Sequence, residues 1–363
     1  MSTAVLHPNV GGEEPGGPDV PAARAMAQLW RLAFGNAAGW PDDTPAAWPD
    51  TWGPFPSEPA FDWQREDGLW AWWNDAESCA RADATSLPLI GADPAVVARV
   101  HDKGFAVACC ERERLFPRPL RSRVHVFAPE AWDDVDRFAA ALWEHIAEWP
   151  GAWRDTATLK PRIGTSGRGR VRIDTEGSWL GALPRLAARG GAVLEPWLPR
   201  RDDYSVQLHI ARDGTLTLLG VLTLAVSEAG VYLGHRGELD HRGRVTTGTG
   251  VEDALLGAAM EVAQAAHGEG YWGPCSVDAF SFDHEGEVVL RPVVEFNARF
   301  TTGTVLLALL RRARAAYEAV VPAEPGTRRA FRFGTGLSAG SPAWRTDLGA
   351  GTPLEVDAAR TDP

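Results

Sequence analysis

A hairpin late in the chain restricts the fold most strongly. Two β-favouring segments, residues 272–282 and 287–296, are separated by Glu285 and Gly286, a pair typical of a two-residue turn between antiparallel strands. The chain is therefore expected to contain an antiparallel sheet. The register of this hairpin decides which polar side chains share a face, because a slip of one residue turns every side chain to the other face.

Three polar residues of this hairpin are candidates for a metal site. If the ladder runs regularly from the turn, Asp278 lies opposite Val293. Because strand side chains alternate with period two, Asp278, Glu295 and Asn297 then point the same way. Three oxygen donors of this kind suit Mg²⁺, with Mn²⁺ as a possible substitute. A polar, solvated sheet face would carry similar residues, but Glu295 interrupts an otherwise apolar run, which favours the metal interpretation.

A glycine-rich stretch at residues 160–169 is the candidate phosphate site. It follows the β-favouring run 156–159, and its glycines would let backbone N–H groups approach an anion closely. Lys160 would add a compact positive charge, and lysine is scarce here, since the 36 basic residues include only Lys103 and Lys160. A glycine-rich turn with a chance lysine would look the same, because neither the Walker nor the dinucleotide pattern is matched. The candidates are Lys160, Gly164, Thr165, Ser166, Gly167 and Gly169.

Composition limits the class of protein. With 363 residues the chain has room for a large core, and a net charge of −12 argues against a general nucleic-acid binder. Four cysteines without zinc-like spacing indicate a reducing cytoplasm. The sequence contains no apolar run of about 18 residues and no signal-peptide pattern, so no membrane contact is expected. A homodimer is left open.

The order of predicted elements indicates an α+β protein. Residues 1–20 are expected to be disordered, and residues 234–250 to form a polar loop. Seven tryptophans among prolines in residues 40–73 are interpreted as a packing cap on the neighbouring domain, with a substrate-facing wall as the alternative. Helices are predicted over residues 21–34, 94–115, 134–149, 178–189, 252–267 and 304–320. Further strands are predicted over residues 124–127, 193–198, 204–211, 215–226, 230–233 and 330–333.

Five motifs, taken in their order along the chain, resemble those of the ATP-grasp family over roughly residues 102–320. Besides the lysine and glycine loop, Asp102-Lys103 before a helix resembles the start of the family's nucleotide-binding part. Asp203 stands where the family places an acidic residue for the ribose hydroxyls. Asp278 and the run 295–299 match the metal-binding acids and asparagine. Residues 193–198 resemble the hinge whose backbone contacts adenine, which gives the candidates Glu195, Trp197 and Leu198.

The resemblance implies an ATP-grasp-like fold, in which two α+β subdomains hold ATP between antiparallel sheets behind an N-terminal tryptophan-rich region. The implied division is a pre-ATP-grasp-like region at 21–101, an ATP-grasp domain at 102–320 and a C-terminal extension at 321–363. Within that domain, a smaller lid-bearing subdomain would cover about 125–195 and a larger metal-bearing subdomain about 196–320.

The implied activity is that of an ATP-dependent ligase forming ADP and phosphate. ATP and Mg²⁺ would activate a carboxylate as an acyl phosphate, which an amine or similar nucleophile then attacks, possibly on a peptide or amino-acid-like substrate. Lys160 and Arg299 are the expected catalytic residues, with Arg299 near the terminal or acyl phosphate. A nucleotide-binding or peptide-recruiting module without turnover, and an ATP-dependent kinase, are the alternatives.

One departure from the family pattern concerns a second basic residue for the phosphates. The family commonly has a lysine some forty residues before Lys160, where this chain has arginines only: Arg118, Arg121 and Arg123. Arginine forks bind carboxylates in a bidentate manner, so arginines are also the natural candidates for the substrate. The substrate candidates are Arg121, Arg123, Arg236, His241 and Arg242; a solvated charged loop would explain the last three equally well.

Overall fold

The computed structural model describes residues 4–11, 21–35, 48–53, 58–164, 169–227, 231–334, 336–337, 341–348 and 352–361. Its combination of helices with antiparallel sheets confirms the predicted α+β class. The helices are α1 (Pro21–Phe34), α2 (Ala76–Thr85), α3 (Pro94–His101), α4 (Lys103–Arg112), α5 (Val135–Ala147), α6 (Gly151–Arg154), α7 (Leu183–Ala187), α8 (Glu252–Gly268), α9 (Thr302–Arg312) and α10 (Arg314–Val320).

Seventeen strands accompany these helices in the described residues. They are β1 (Ala4–His7), β2 (Gly68–Ala71), β3 (Leu89–Ile90), β4 (His125–Phe127), β5 (Ala157–Pro161), β6 (Val171–Arg172), β7 (Ala192–Pro196), β8 (Arg200–Ile210), β9 (Leu216–Val226), β10 (Tyr232–Asp240), β11 (Val245–Thr246), β12 (Gly273–His284), β13 (Glu287–Asn297), β14 (Thr327–Gly334), β15 (Trp344–Asp347), β16 (Pro353–Val356) and β17 (Arg360–Thr361).

The strands form three sheets. A large antiparallel sheet has the order β13-β12-β8-β9-β10-β14-β16-β15, with β11 beside β10 and β17 beside β14. A small antiparallel sheet has the order β4-β7-β5-β6, and a parallel sheet has the order β1-β2-β3. Helices α8 and α9 both contact the large sheet. The small sheet meets the large one through a buried contact between β7 and β13, and a cleft opens beside this contact.

The start of the chain differs from the prediction. Residues 1–20 were expected to be disordered, but Ala4–His7 is a strand that pairs with Gly68–Ala71. A four-residue strand gives too short an alternation to be recognised without its partner. Residues 12–20 lie outside the described residues.

The tryptophan-rich segment packs as a cap. The rings of Trp63, Trp70 and Trp72 lie 6.1–6.3 Å from the ring of Phe300, and Trp30 of α1 lies 5.2 Å from it. Such aromatic pairs bury large apolar areas. The packing interpretation is therefore confirmed for these side chains, whereas Trp40 lies outside the part of the chain that the structure describes.

The loop predicted for residues 234–250 is wrong in its first half, because β10 continues to Asp240 and lies between β9 and β14. The glycines that suggested a loop are points of close backbone approach. A Cβ atom on Gly234 would lie 2.2 Å from the carbonyl oxygen of Phe333, and one on Gly237 would lie 2.7 Å from that of Thr246.

The late hairpin has the predicted turn but not the predicted register. His284 pairs with Glu287, and the ladder runs regularly as far as Phe280 opposite Arg291. An irregularity then places Asp278 opposite Glu295 instead of Val293. Pro292 lies in this stretch of β13, and proline has no N–H to donate to the ladder, which favours a bulge. Because the shift is two residues, Asp278 still points to the predicted side of the sheet.

Candidate active site

The cleft between the small and large sheets brings both halves of the predicted site together. Its walls come from the small sheet, from the central strands of the large sheet and from the start of α9. Seven predicted site residues line it, namely Lys160, Trp197, Asp203, Asp278, Glu295, Asn297 and Arg299. A polyphosphate in this cleft would therefore be exposed to the lysine from one side and to the carboxylates from the other.

The two carboxylates occupy facing positions on β12 and β13. The oxygens of Asp278 accept hydrogen bonds from the Ser205 hydroxyl at 2.7 Å and from the Asn297 amide nitrogen at 3.1 Å. Burial and the neighbouring charge of Glu295 raise the pKa of Asp278. Burial alone would also raise the pKa of Glu295, but the charge and hydrogen bond of Lys103, together with the charges of Lys160 and His101, outweigh it and lower that pKa. Two half-buried carboxylates so close together repel each other unless a proton or a cation lies between them.

Lys103 also lines the cleft. It belongs to the predicted motif Asp102-Lys103 but was not predicted to be a site residue. Its Nζ lies 3.0 Å from an oxygen of Glu295 and donates a hydrogen bond of 2.7 Å to the carbonyl of Gly164. The predicted helix over residues 94–115 is interrupted at Asp102, whose carboxylate caps α4 by accepting from the N–H of Gly104. This interruption turns Lys103 into the cleft.

The arginines considered as the second phosphate contact lie elsewhere. Arg121 donates to the carbonyl of Phe116, and Arg123 to that of Pro119. Neither lines the cleft. The expectation that one of them replaces the upstream lysine is therefore not supported, because Lys103 already supplies a charge in the cleft.

Lys160 is held by a buried group of three charges. Its Nζ contacts one oxygen of Glu195, and Arg291 of β13 donates to the other oxygen at 2.8 Å. Glu195 and Arg291 are each 2% exposed. Burial would raise the pKa of Glu195, but the charges of Arg291 and Lys160 outweigh it and hold this pKa well below its usual range. Burial lowers the pKa of Lys160 to about 8, although Glu195 opposes the shift.

This geometry changes the role expected for the hinge residues. Glu195 lies behind Lys160 rather than in the wall of the cleft, and Leu198 is buried outside that wall. The N–H of Trp197 donates to the carbonyl of Thr156 at 2.8 Å, so it is already bonded within the protein. Trp197 lines the cleft, and the centroid of its ring lies 5.8 Å from Nζ of Lys160.

The end of the cleft near Trp197 is rich in arginine. The guanidinium carbon of Arg170 lies 3.3 Å from the centroid of the Trp197 ring, and that of Arg200 lies 4.6 Å from it. Arg200 also forms an ion pair with Asp203. Burial raises the pKa of Asp203, and the charge of Arg200 opposes that shift. An aromatic face beside cations can accommodate a planar base next to anionic groups.

The glycine-rich stretch is described only at its ends. Gly164 has a φ of +151° and Gly169 a φ of +79°, conformations that glycine adopts more readily than other residues. Thr165, Ser166 and Gly167 lie outside the described residues. Neither described glycine is among the residues that line the cleft, but the carbonyl of Gly164 is joined to it through Lys103.

The polar wall next to Asp278, on the neighbouring strand β8, was not predicted. The Gln207 amide oxygen accepts from the hydroxyls of Thr301 at 2.6 Å and Thr304 at 3.0 Å, and its nitrogen donates to Ser205 at 2.7 Å. Thr301 and Thr304 cap the start of α9. Alternating polar residues on residues 204–211 were visible in the sequence, but polar residues normally suggest a solvated face rather than a buried one.

Two further residues of β10 line the cleft. The hydroxyl of Tyr232 lies 2.6 Å from Nδ1 of His235. Burial lowers the pKa of His235 to about 3, so its imidazole is neutral at physiological pH. Tyr232 falls in the strand predicted for residues 230–233 but His235 in the loop predicted to follow it, so nothing in the sequence indicated that they pair.

The predicted substrate residues of the later segment do not reach the cleft. Arg236 is paired with Asp202 at 2.8 Å on the surface. His241 and Arg242 follow the end of β10 and are absent from the residues that line the cleft. Arg299 does line it, and donates to the Asn297 amide oxygen at 3.4 Å and to the carbonyl of Phe300 at 2.9 Å.

The described residues contain no cluster of three or more His, Cys, Asp or Glu side chains that would hold a metal ion. The predicted metal set has a different composition, with two carboxylates and the amide of Asn297. No helix in the described ranges is long and apolar enough to cross a membrane.

Comparisons with known proteins give one sequence relative and several structural neighbours. No protein-family profile matches the chain. The chain is 30% identical over 165 residues to the [butirosin acyl-carrier protein]–L-glutamate ligase of Niallia circulans, a match that covers 45% of this chain and 37% of that protein. The chain thus spans little more than a third of that relative's length.

The structural neighbours include carboxylases and a synthase. The biotin carboxylase domain of Hydrogenobacter thermophilus 2-oxoglutarate carboxylase, solved with MgADP, ADP and bicarbonate, has a TM-score of 0.50 at 14% identity, over 91% of this chain and 74% of that one. N5-carboxyaminoimidazole synthase of Aspergillus clavatus has a TM-score of 0.49 at 11% identity, over 100% and 94%. At these identities the likeness concerns the fold.

Proposed function

We propose that this chain, which has the ATP-grasp fold, is an ATP-dependent ligase that converts a carboxylate to an acyl phosphate and joins it to an amine or a similar nucleophile. The observation that carries the proposal is the shared cleft, in which Lys103 and Lys160 face the side chains of Asp278, Glu295 and Asn297. Phosphoryl transfer depends mainly on positioning and on neutralising charge. Both requirements are met by groups that are already in place.

The two lysines would bind the phosphates of ATP. Lys160 is fixed by Glu195 and Lys103 by Glu295, so neither side chain has to be ordered when the nucleotide binds. Arg299 lies next to Asn297 and would stabilise the charge on the transferred phosphoryl group. The backbone of residues 164–169 would cover the phosphates, and residues 165–168 of this stretch lie outside the described residues.

The facing carboxylates fit a divalent cation. Asp278 and Glu295 are half-buried, and burial together with the charge of Glu295 raises the pKa of Asp278. A bound cation would relieve the repulsion between them. Their oxygens, with the amide oxygen of Asn297, are hard donors of the kind that Mg²⁺ and Mn²⁺ accept. Such an ion supplies charge neutralisation on the phosphate oxygens when bound. Ser205 keeps one oxygen of Asp278 in a fixed direction.

The nucleoside would lie toward the arginine-rich end of the cleft. Arg200, which is stacked on Trp197, would lie beside the base, and Asp203 would accept hydrogen bonds from the ribose hydroxyls. We assign the smaller subdomain to about residues 125–195 and the larger one to about 196–320, the same division that the sequence resemblance implies. Residues 21–101 and 321–363 would then be additions at either side.

The acid and the amine would meet at the other end of the cleft. There, Tyr232, His235 and Gln207 form a wall of neutral polar groups beside the start of α9. Because burial holds the pKa of His235 far below that of an amine, its neutral imidazole would give the substrate a hydrogen bond and would not take a proton from an ammonium group. The sequence relative joins L-glutamate to an acyl-carrier protein, so an amino acid is the first substrate to test, either free or on a carrier.

The experiment is a screen of amino acids, short peptides and carrier-bound acyl groups for stimulated release of ADP. Product masses would identify the bond formed. Hydroxylamine, added in place of the amine, should trap the acyl phosphate as a hydroxamate. Glu295→Gln keeps the shape of the side chain and should abolish ADP release, whereas Arg236→Gln, which lies outside the cleft, should leave it unchanged.

The outcomes separate the candidate functions. ADP release that requires both an acid and an amine, with hydroxamate formation, supports the ligase. A stable phosphorylated product without any amine would instead identify a kinase. Binding of MgATP without turnover on any substrate would leave a nucleotide-binding module, and an absence of MgATP binding would refute the site itself.

A further inference from the structure

A second pocket lies at the far end of α9, away from the cleft. Its volume is about 740 Å³. The start of α9 lines the cleft, while its last turn lines this pocket, so the helix separates the two. The floor is apolar and includes Leu218, Leu239, Leu307 and Leu310. Leu218 is 42% exposed, which is unusual for a leucine within a strand.

The rim of this pocket is basic. Among the described residues that line it, five are arginine and one, Glu58, is acidic. Glu58 is already paired with Arg65 at 2.6 Å. The whole chain has a net charge of −12, so an arginine-rich rim departs from the average surface. An anion would be attracted to this rim.

Three of the five arginines serve the fold. Arg312 donates to the carbonyls of Ala33 and Gly35, and Arg311 donates to that of Ala60. Arg314 forms an ion pair with Glu318. These contacts fix the walls of the pocket. The other two, Arg242 and Arg244, belong to the turn after β10 and are exposed. Among the described residues, their side chains have only polar contacts within that turn: Arg242 donates to the His241 ring at 3.3 Å, and Arg244 lies 4.0 Å from the Asp240 carboxylate.

That turn is rigidly held. The Asp240 carboxylate accepts the N–H groups of Arg242 and Arg244, each at 2.8 Å. Arg314 donates to the carbonyl of Arg242 at 3.0 Å and to that of His241 at 3.3 Å. The side chain of Arg244 is 69% exposed. Two exposed guanidinium groups are thus presented on a fixed backbone above an apolar floor, which lowers the entropic cost of binding an anion.

We propose that this pocket binds a small amphipathic anion, with its apolar body on the leucines and its carboxylate or phosphate between Arg242 and Arg244. Pockets that bind small molecules combine a mainly apolar lining with a few well-placed polar groups. Guanidinium groups recognise carboxylate and phosphate through paired hydrogen bonds. The site does not depend on the ATP chemistry of the cleft, because it shares no lining residue with the cleft.

The test uses decyl phosphate as the probe, below its micelle concentration, with calorimetry on the full chain. Saturating MgATP is added in a parallel series, so that binding in the cleft is not mistaken for binding here. The expected result is one molecule per chain, with MgATP causing no change. The double variant Arg242→Gln/Arg244→Gln should weaken binding at least tenfold, and Leu218→Asp should do the same by repelling the anion.

Arg236→Gln is the matched control, because Arg236 is an exposed arginine of β10, the strand that precedes this turn, and lies outside the pocket. Decanol and inorganic phosphate, tested separately, should each bind at least tenfold more weakly than decyl phosphate. Equal binding of decanol, or unchanged affinity in the double variant and in Leu218→Asp, would overturn the proposal. Competition by MgATP would also overturn it, since the probe would then be in the cleft. Far-UV circular dichroism would establish that the variants are folded.

Discussion

The buried contact of Glu195 with Lys160 and Arg291 leads to a quantitative prediction. Glu195→Gln removes one negative charge and leaves two buried cations facing each other. A charge contact at an effective dielectric constant near 20 is worth about 4 kcal/mol, and about 1.4 kcal/mol corresponds to one pKa unit. The pKa of Lys160, which lies at about 8, should therefore fall by about three units.

The consequence for ATP is measurable. If only the charged lysine binds the phosphates, roughly three quarters of Lys160 is competent at pH 7.5 in the wild type and a few parts per thousand in the variant. The dissociation constant of MgATP should then rise about 200-fold at pH 7.5. It should recover toward the wild-type value near pH 5, where the lysine regains its proton. Titration calorimetry across this pH range provides the measurement.

A second variant distinguishes this charge effect from simple unfolding of Glu195→Gln. Removing Arg291 as well, in Glu195→Gln/Arg291→Met, takes away the repulsion and should return part of the lost affinity at pH 7.5. Arg291→Met alone should raise the pKa of Lys160, since Arg291 lowers it. A wild-type dissociation constant in Glu195→Gln, with an unchanged pH profile, would refute the reasoning.

Three further predictions concern separate parts of the molecule. Lys103→Met should reduce substrate-dependent ADP release about a hundredfold, since one charge contact in a transition state is worth about 3 kcal/mol. Steady-state assays of ADP release would measure this reduction. The control variant Arg121→Met, at a residue outside the cleft, should behave as the wild type. In the wild type, the dissociation constant of MgATP should rise about tenfold for each pH unit above about 8, because Lys160 loses its charge there; a flat profile between pH 8 and 10 would contradict this. His209 stacks on Trp63 at 4.6 Å, and burial lowers its pKa to about 4. As the pH falls below 6.5, this histidine takes up a proton in the unfolded chain before it does so in the folded protein, so the free energy of unfolding decreases toward pH 4. Between pH 7 and 4.5, His209→Phe should lose about 2.5 kcal/mol less of its free energy of unfolding than the wild type, as measured by urea unfolding. An identical loss in both proteins would count against this prediction.

Much of the architecture follows from local pattern. The helix over residues 252–267 and the hairpin turn at Glu285 were visible because each combines clear periodicity with a recognised end signal. The glycine-dotted strand β10 was not visible. A glycine at a close backbone approach and a glycine in a loop look identical until the neighbouring strand is known.

The site was predicted where strand alternation alone decides the direction of a side chain, as for Asp278 and Asn297. It was missed where a tertiary contact decides, as for Lys103, which reaches the cleft because Asp102 ends one helix and begins the next. The scarcity of lysine was a usable signal for Lys103. For Glu195, by contrast, the sequence contains nothing to indicate that Arg291 would come within hydrogen-bonding distance.

The irregularity next to Pro292 sets the distance between the two carboxylates. If the hairpin ran without its irregularity, Glu295 would lie two residues farther along β13 from Asp278, a separation of about 7 Å. The irregularity beside this imino acid, which carries no charge, thus places the two carboxylates opposite each other. A comparison of related chains at this position would distinguish those that have kept the paired acids in register from those that have kept the acids but lost their alignment.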